Sequence, residues 1–133
     1  MRLCACTFRR LAILGAALAA AGCGGGIWLG IGDDPDDPPS VALVSDVDAA
    51  PPGGLVRLTA AASDDFGVDH VAFFRVDPAT GGATLMARVA VPPYRLDVAM
   101  PGTSAAAVEF FARAVDDVGQ VGDSDVVSVA VLP

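Results

Sequence analysis

From residue 41 onward, apolar residues recur at every second position between clusters of Pro, Gly and Asp, valine is abundant, and no window carries a persuasive helical spacing. Period two puts alternate side chains on opposite faces of a strand, so a chain patterned this way buries its apolar residues as sheet. The pattern predicts seven strands, over residues 41–47, 55–62, 68–76, 83–91, 94–100, 106–115 and 126–132. Seven short strands at this spacing specify an all-β fold, an antiparallel β-sandwich.

Alternation also identifies the core. Val56, Leu58, Ala60 and Ala62 share one face while Arg57 and Thr59 point away; Tyr94, Leu96, Val98 and Met100 oppose Arg95 and Asp97; Val108, Phe110, Ala112 and Ala114 oppose Glu109 and Arg113. The third strand lacks such a phase, because Val71 and Phe73 fall on one face and Phe74 and Val76 on the other. Either a bulge switches its phase or one aromatic is exposed, and Phe73 is expected inside with Val71.

The N-terminus follows a different plan. Arg2, Arg9 and Arg10 precede an uncharged Leu/Ala run that stops at Ala20-Ala21-Gly22-Cys23, the basic head, apolar segment and small residues of an export signal. This stretch resembles a bacterial lipoprotein signal peptide, and the resemblance implies that residues 1–22 are removed and Cys23 is lipidated. The chain departs from that motif at Ala20, where Leu is preferred and the nearest leucine is Leu18. By the same resemblance, Gly24 rather than Asp after the cysteine points to the outer membrane of a double-membraned bacterium. Two other readings stay open. Residues 11–32 carry no charge and match the length of about 20 residues needed to span a bilayer, although glycines such as Gly15, Gly22 and Gly30 weaken a helix by up to about 1 kcal/mol each. Arg9-Arg10 before hydrophobic residues is also the dipeptide of a twin-arginine signal.

Without residues 1–22 the chain keeps five Arg, no Lys and sixteen acids, a formal charge of about −11. A field of that sign repels phosphate backbones and anionic headgroups, so nucleic acid is not a predicted partner, whereas divalent cations and basic partners are favoured. Cys4 and Cys6 leave with the signal and Cys23 would carry the lipid, so no thiol remains for a disulfide, a zinc site or a nucleophile. Residues 41–133 must hold together by packing alone, which suffices for one small domain. Residues 23–40, with Gly24-Gly25-Gly26 and Asp33-Asp34-Pro35-Asp36-Asp37-Pro38-Pro39, read as a tether that forms neither helix nor sheet.

The run Leu58-Thr59-Ala60-Ala61-Ala62-Ser63-Asp64-Asp65-Phe66-Gly67-Val68, then Val71-Ala72-Phe73-Phe74, Pro93-Tyr94 and Ala112-Arg113-Ala114-Val115-Asp116-Asp117-Val118-Gly119, resembles the bacterial Ig-like domains. Those are exported modules, commonly strung along cell-surface proteins and enzymes. The resemblance covers nearly all of residues 40–133 and implies a seven-stranded Ig-like/fibronectin-III-like antiparallel β-sandwich. It says little about function, since one fold hosts many. One departure is the segment 77–84, where the family has a short turn and this chain predicts a wider loop.

Asp64-Asp65-Phe66-Gly67 and Asp116-Asp117-Val118-Gly119 would be loops at one shared pole of such a sandwich. The tether enters at the same pole, because the first strand runs antiparallel to the second, and so brings Asp36 and Asp37 near; Asp123 and Asp125 lie close to the last strand. Clustered carboxylates suit a hard cation such as calcium, which takes six to eight oxygen ligands. Asp64, Asp65, Asp116 and Asp117 are therefore candidate calcium ligands, and no other cofactor is predicted. The plainer reading is turn chemistry, with each carboxylate bonding local N–H groups and each glycine taking positive φ. Paired acids for glycoside hydrolysis would need a set separation across a sugar cleft, which a small sandwich with few aromatics does not evidently supply.

Catalysis has little else to work with. His70 is the single histidine, and none of Ser63, Ser104, Ser124 or Ser128 lies in a Gly-x-Ser-x-Gly elbow. His70 is expected at the solvent face or a sheet edge, and no glycine-rich phosphate loop precedes a helix. The chain is therefore predicted not to be an enzyme. Two classes remain: an envelope-anchored Ig-like lipoprotein that binds a protein or carbohydrate through its loops or a sheet edge, and a structural spacer or assembly subunit of an envelope complex. An exposed apolar patch on the loops separates the first from the second.

Overall fold

The computed structural model describes residues 35–133. The signal, Cys23 and the tether up to Asp34 lie outside the described residues. The described residues hold nine strands and no helix: β1 (Ser40–Ser45), β2 (Ala49–Ala50), β3 (Leu55–Ser63), β4 (Val68–Val76), β5 (Ala83–Val89), β6 (Tyr94–Ala99), β7 (Ala107–Asp116), β8 (Val121–Asp123) and β9 (Val127–Val131). A three-stranded sheet runs β1-β3-β6, and the larger sheet runs β2-β9-β7-β4-β5 with β8 also on β7.

All seven expected strands are present, and two short ones, β2 and β8, lie outside the expected ranges. Around Asp46 the first strand stops: the Asp46 N–H donates to the Arg57 carbonyl and its carboxylate accepts from the Arg57 N–H. The chain then crosses to the larger sheet, where β2 pairs with β9 in parallel, the one departure from antiparallel pairing. Near the C-terminus, β8 and β9 both lie along β7 and are separated where Ser124 Oγ accepts from the Ala112 N–H. The wider loop at residues 77–82 is closed on itself, because the Asp77 carboxylate accepts from Ala79 N–H at 2.8 Å and the Gly81 N–H donates to the Asp77 carbonyl.

Between the sheets lie Val56, Leu58, Val71, Phe73, Phe110 and Val129, all fully buried, with Leu43, Tyr94, Met100 and Val108 closing the periphery and Leu96 and Val98 half-buried. The phases read from β3, β6 and β7 hold. Against β7 the register of β4 shifts between Val68 and His70 and is continuous from there to Val76, with Phe73 opposite Ala112 and Phe74 opposite Phe111. At Phe73/Phe74 the shift falls between β4 and β5. Phe74 thus lies on the outer face, but not bare: it stacks on Phe111 with ring centroids 4.9 Å apart, and the Arg113 guanidinium lies 5.6 Å from its ring centroid.

Register settles which loops share an end. Ser40 pairs with Ser63, and Val68 with Asp116, so the incoming chain, the β3–β4 loop and the β7–β8 turn meet at one end of the sandwich. Ala107 pairs with Ala130, so the chain leaves at the other.

Candidate functional site

The inward-facing positions of β3 are Val56, Leu58, Ala60 and Ala62, and the next residue in that phase is Asp64. In β7 they are Val108, Phe110, Ala112 and Ala114, and the next is Asp116. Each sheet therefore ends its core stripe on an aspartate at the same end of the molecule. Asp116 is the buried charged residue of the described chain, 2% exposed, and Asp64 is half-buried.

Both aspartates are oriented by the turns that follow them. Phe66 and Gly67 N–H donate to Asp64 Oδ2 at 3.0 and 2.8 Å, while Val118 and Gln120 N–H donate to Asp116 Oδ1 at 3.0 and 2.7 Å. Gly67 and Gly119 carry φ of 131° and 90°, values that a residue with a Cβ rarely adopts, which is why each motif ends in glycine. One oxygen of each carboxylate is thereby committed to its turn and the other is left free.

The linker closes this end. Gln120 Nε2 donates to the Asp36 carbonyl at 3.0 Å. A side chain at Gly122 would collide with the Pro39 carbonyl oxygen, so β8 must carry glycine there for the linker to lie against it. Carboxylate oxygens of Asp36, Asp64 and Asp65 all come within 4.8 Å of one another. Burial pushes the Asp36 carboxyl above its ordinary range; the Gln120 amide opposes this, and the charges of Asp116, Asp65 and Asp64 raise it further.

Of the acids singled out from sequence, Asp64 and Asp65 join this group with Asp36, and Asp116 bears on it electrostatically. Asp117 and Asp37 are exposed and outside it. Asp123 faces elsewhere, accepting both Arg113 nitrogens at 2.6 and 2.8 Å on the outer face of the larger sheet. The contribution of Gly122 was missed, although a glycine inside a strand signals a close backbone approach.

The remaining residues offer little chemistry. His70 sits on the interior strand β4 rather than at a sheet edge, with Nδ1 2.7 Å from Asp69 Oδ2. An open groove of about 490 Å³ lies at the opposite end, between the β4–β5 and β6–β7 loops, lined by Arg75, Asp77, Pro78, Pro101, Thr103 and Val108 among others. Its single carboxylate, Asp77, is occupied in closing its own loop, so the groove holds no acid pair.

No family model and no curated protein matches the chain. Among solved structures, the fibronectin(III)-like modules of CbhA from Clostridium thermocellum are similar, with a TM-score of 0.55 and 24% identity over 69% of this chain and 94% of that one. The domain is a fibronectin-III-like sandwich. The likeness is one of fold, and one fold hosts many functions.

Proposed function

We propose that this fibronectin-III-like domain is the binding module of an envelope lipoprotein of the bacterial Ig-like type, held to the membrane through Cys23 and engaging a protein or carbohydrate partner with the loops at its linker end. The observation that carries this reading is the exposure of Phe66 and Val118, at 62% and 66%. They occupy the same place in the two Asp-Asp-x-Gly turns: the first aspartate turns inward and the third residue is left facing solvent. Val91, in the β5–β6 loop of that same end, is 71% exposed. Apolar side chains on several loops of one end favour contact with a partner over a bare spacer.

Cross-linking in the native envelope tests it. The parent chain is expected to give discrete cross-linked species that the Phe66→Ser/Val118→Ser pair loses, with glycosidase and protease treatment separating carbohydrate from protein partners. Species retained by the double variant would favour the second reading, a spacer. That reading has its own support in the chain entering at one end of the sandwich and leaving at the other, the geometry of a module threaded in line.

A further inference from the structure

Three carboxylate oxygens at the linker end are buried and accept no hydrogen bond: Asp36 Oδ1, Asp64 Oδ1 and Asp116 Oδ2. Asp116 decides the matter, because it is 2% exposed and held in place through its other oxygen. Its free oxygen can neither reach water nor turn to a new donor. Asp116 continues the inward stripe of β7 and Asp64 that of β3, so both carboxylates turn toward the space between the sheets at this end, where the charge of Asp116 also bears on Asp36. Among the described residues no cation is paired with Asp36, Asp64, Asp65 or Asp116: the ion pairs are Arg57 with Asp97, Arg113 with Asp123 and His70 with Asp69.

Burying a carboxylate oxygen without a donor or counter-charge is unfavourable, and gathering several adds mutual repulsion. We propose that this end is a calcium site formed by the carboxylates of Asp36, Asp64, Asp65 and Asp116, and that the bound ion staples the linker to the sandwich. Turn chemistry and metal binding are then not alternatives. Within Asp64 and Asp116 the oxygen bonded to backbone N–H orients the carboxylate, and the second oxygen is the ligand, the way outer partners commonly fix metal-binding groups.

Ligand number favours calcium. Two oxygens on opposite sides of a calcium ion stand up to about 5.2 Å apart, so the Asp36, Asp64 and Asp65 oxygens, all within 4.8 Å of one another, can share one ion. Magnesium usually keeps several waters and takes only one or two carboxylates, whereas calcium accepts a cluster of them. Asp36 makes the consequence specific. It belongs to the linker, whereas Asp64 and Asp65 follow β3 and Asp116 ends β7, so a single ion joins the incoming chain to both sheets.

The test uses the full-length chain in detergent, stripped with EDTA and returned to calcium chloride or to sodium chloride of equal ionic strength. Calcium at a hundredfold excess over its dissociation constant is expected to shift the folding equilibrium about a hundredfold, read as a rise in melting temperature, and to slow proteolysis in residues 33–38. Asp116→Asn is expected to abolish both effects, and Asp117→Asn neither. Asp36→Asn should fold as well as the parent in EDTA, since it removes a like charge, yet lose the protection of the linker by calcium. Equal responses to calcium and sodium would overturn the proposal, as would full calcium protection of the linker in Asp36→Asn. The second result is decisive even if Asp116→Asn does not fold.

Discussion

Phe110 shows how far one residue can be argued from pattern alone. Its phase on β7, between Glu109 and the outward Phe111, places it between the sheets, where it is fully buried against the core. Phe110→Ala is expected to cost about 3 to 5 kcal/mol, a large part of the roughly 5 to 15 kcal/mol that holds a small domain together. Denaturant unfolding checks it, and an unchanged midpoint would place the ring outside the core. The same phase, continued three turns of the pleat from Phe110, reaches Asp116, whose burial was therefore written in the alternation. Continuing an apolar stripe onto an aspartate runs against the rule that charge faces water, and only a turn able to satisfy one of its oxygens makes the exception tolerable.

At the scale of elements, the short strand β8 joins the linker to the sheet. Gly122→Ala would drive a methyl group into the Pro39 carbonyl, which belongs to the backbone and cannot swing aside. Its expected cost is about 1 to 3 kcal/mol, the range of overpacked sites, together with faster cleavage of the linker in limited proteolysis; an unaltered cleavage rate would show the linker free of β8. Across β7 and β8, Arg113 holds the Asp123 carboxyl below its ordinary 3.8 chiefly by hydrogen bonding, which outweighs the opposing effect of burial, with its charge adding a smaller part. A carboxyl depressed by folding adds stability that is complete above its unfolded value and is lost as pH falls through the folded one. Acid titration should therefore weaken the parent more than Asp123→Asn below about pH 4, with the two converging in their pH dependence if the pair is idle. The pair is half-exposed, so the difference should be small, about 0.2 to 1 kcal/mol. Arg57 depresses Asp97 in the same sense on the smaller sheet, chiefly through their hydrogen bonds.

For the whole molecule, the linker end carries the acids, the exposed Phe66 and Val118 and the incoming chain together. Cys23→Ser is expected to shift the protein from the membrane fraction to the soluble one or to leave an uncleaved precursor; unchanged membrane association without added mass on Cys23 would support the retained helix instead. Anchoring that withstands washing implies more than one acyl chain, because a single chain binds reversibly. Much of the sandwich was legible in the residues. Period-two alternation in β3, β6 and β7 determines which side chains are buried, because a strand has only two faces, and the lack of any cysteine after Cys23 leaves no disulfide to tie the sheets together. The two Asp-Asp-x-Gly turns were legible for the same local reason, since a carboxylate and a positive-φ glycine act within four residues. What tertiary structure alone decided is distance between segments remote in sequence. That Asp36 reaches Asp64 and Asp65 while Asp117 stays outside, that Gly122 must admit Pro39, and that Phe74 finds Phe111 on the outer face all depend on sheet register and on the path of a linker without periodicity. Alternation specifies which way a residue points, but the partner it meets is set by the pairing of strands.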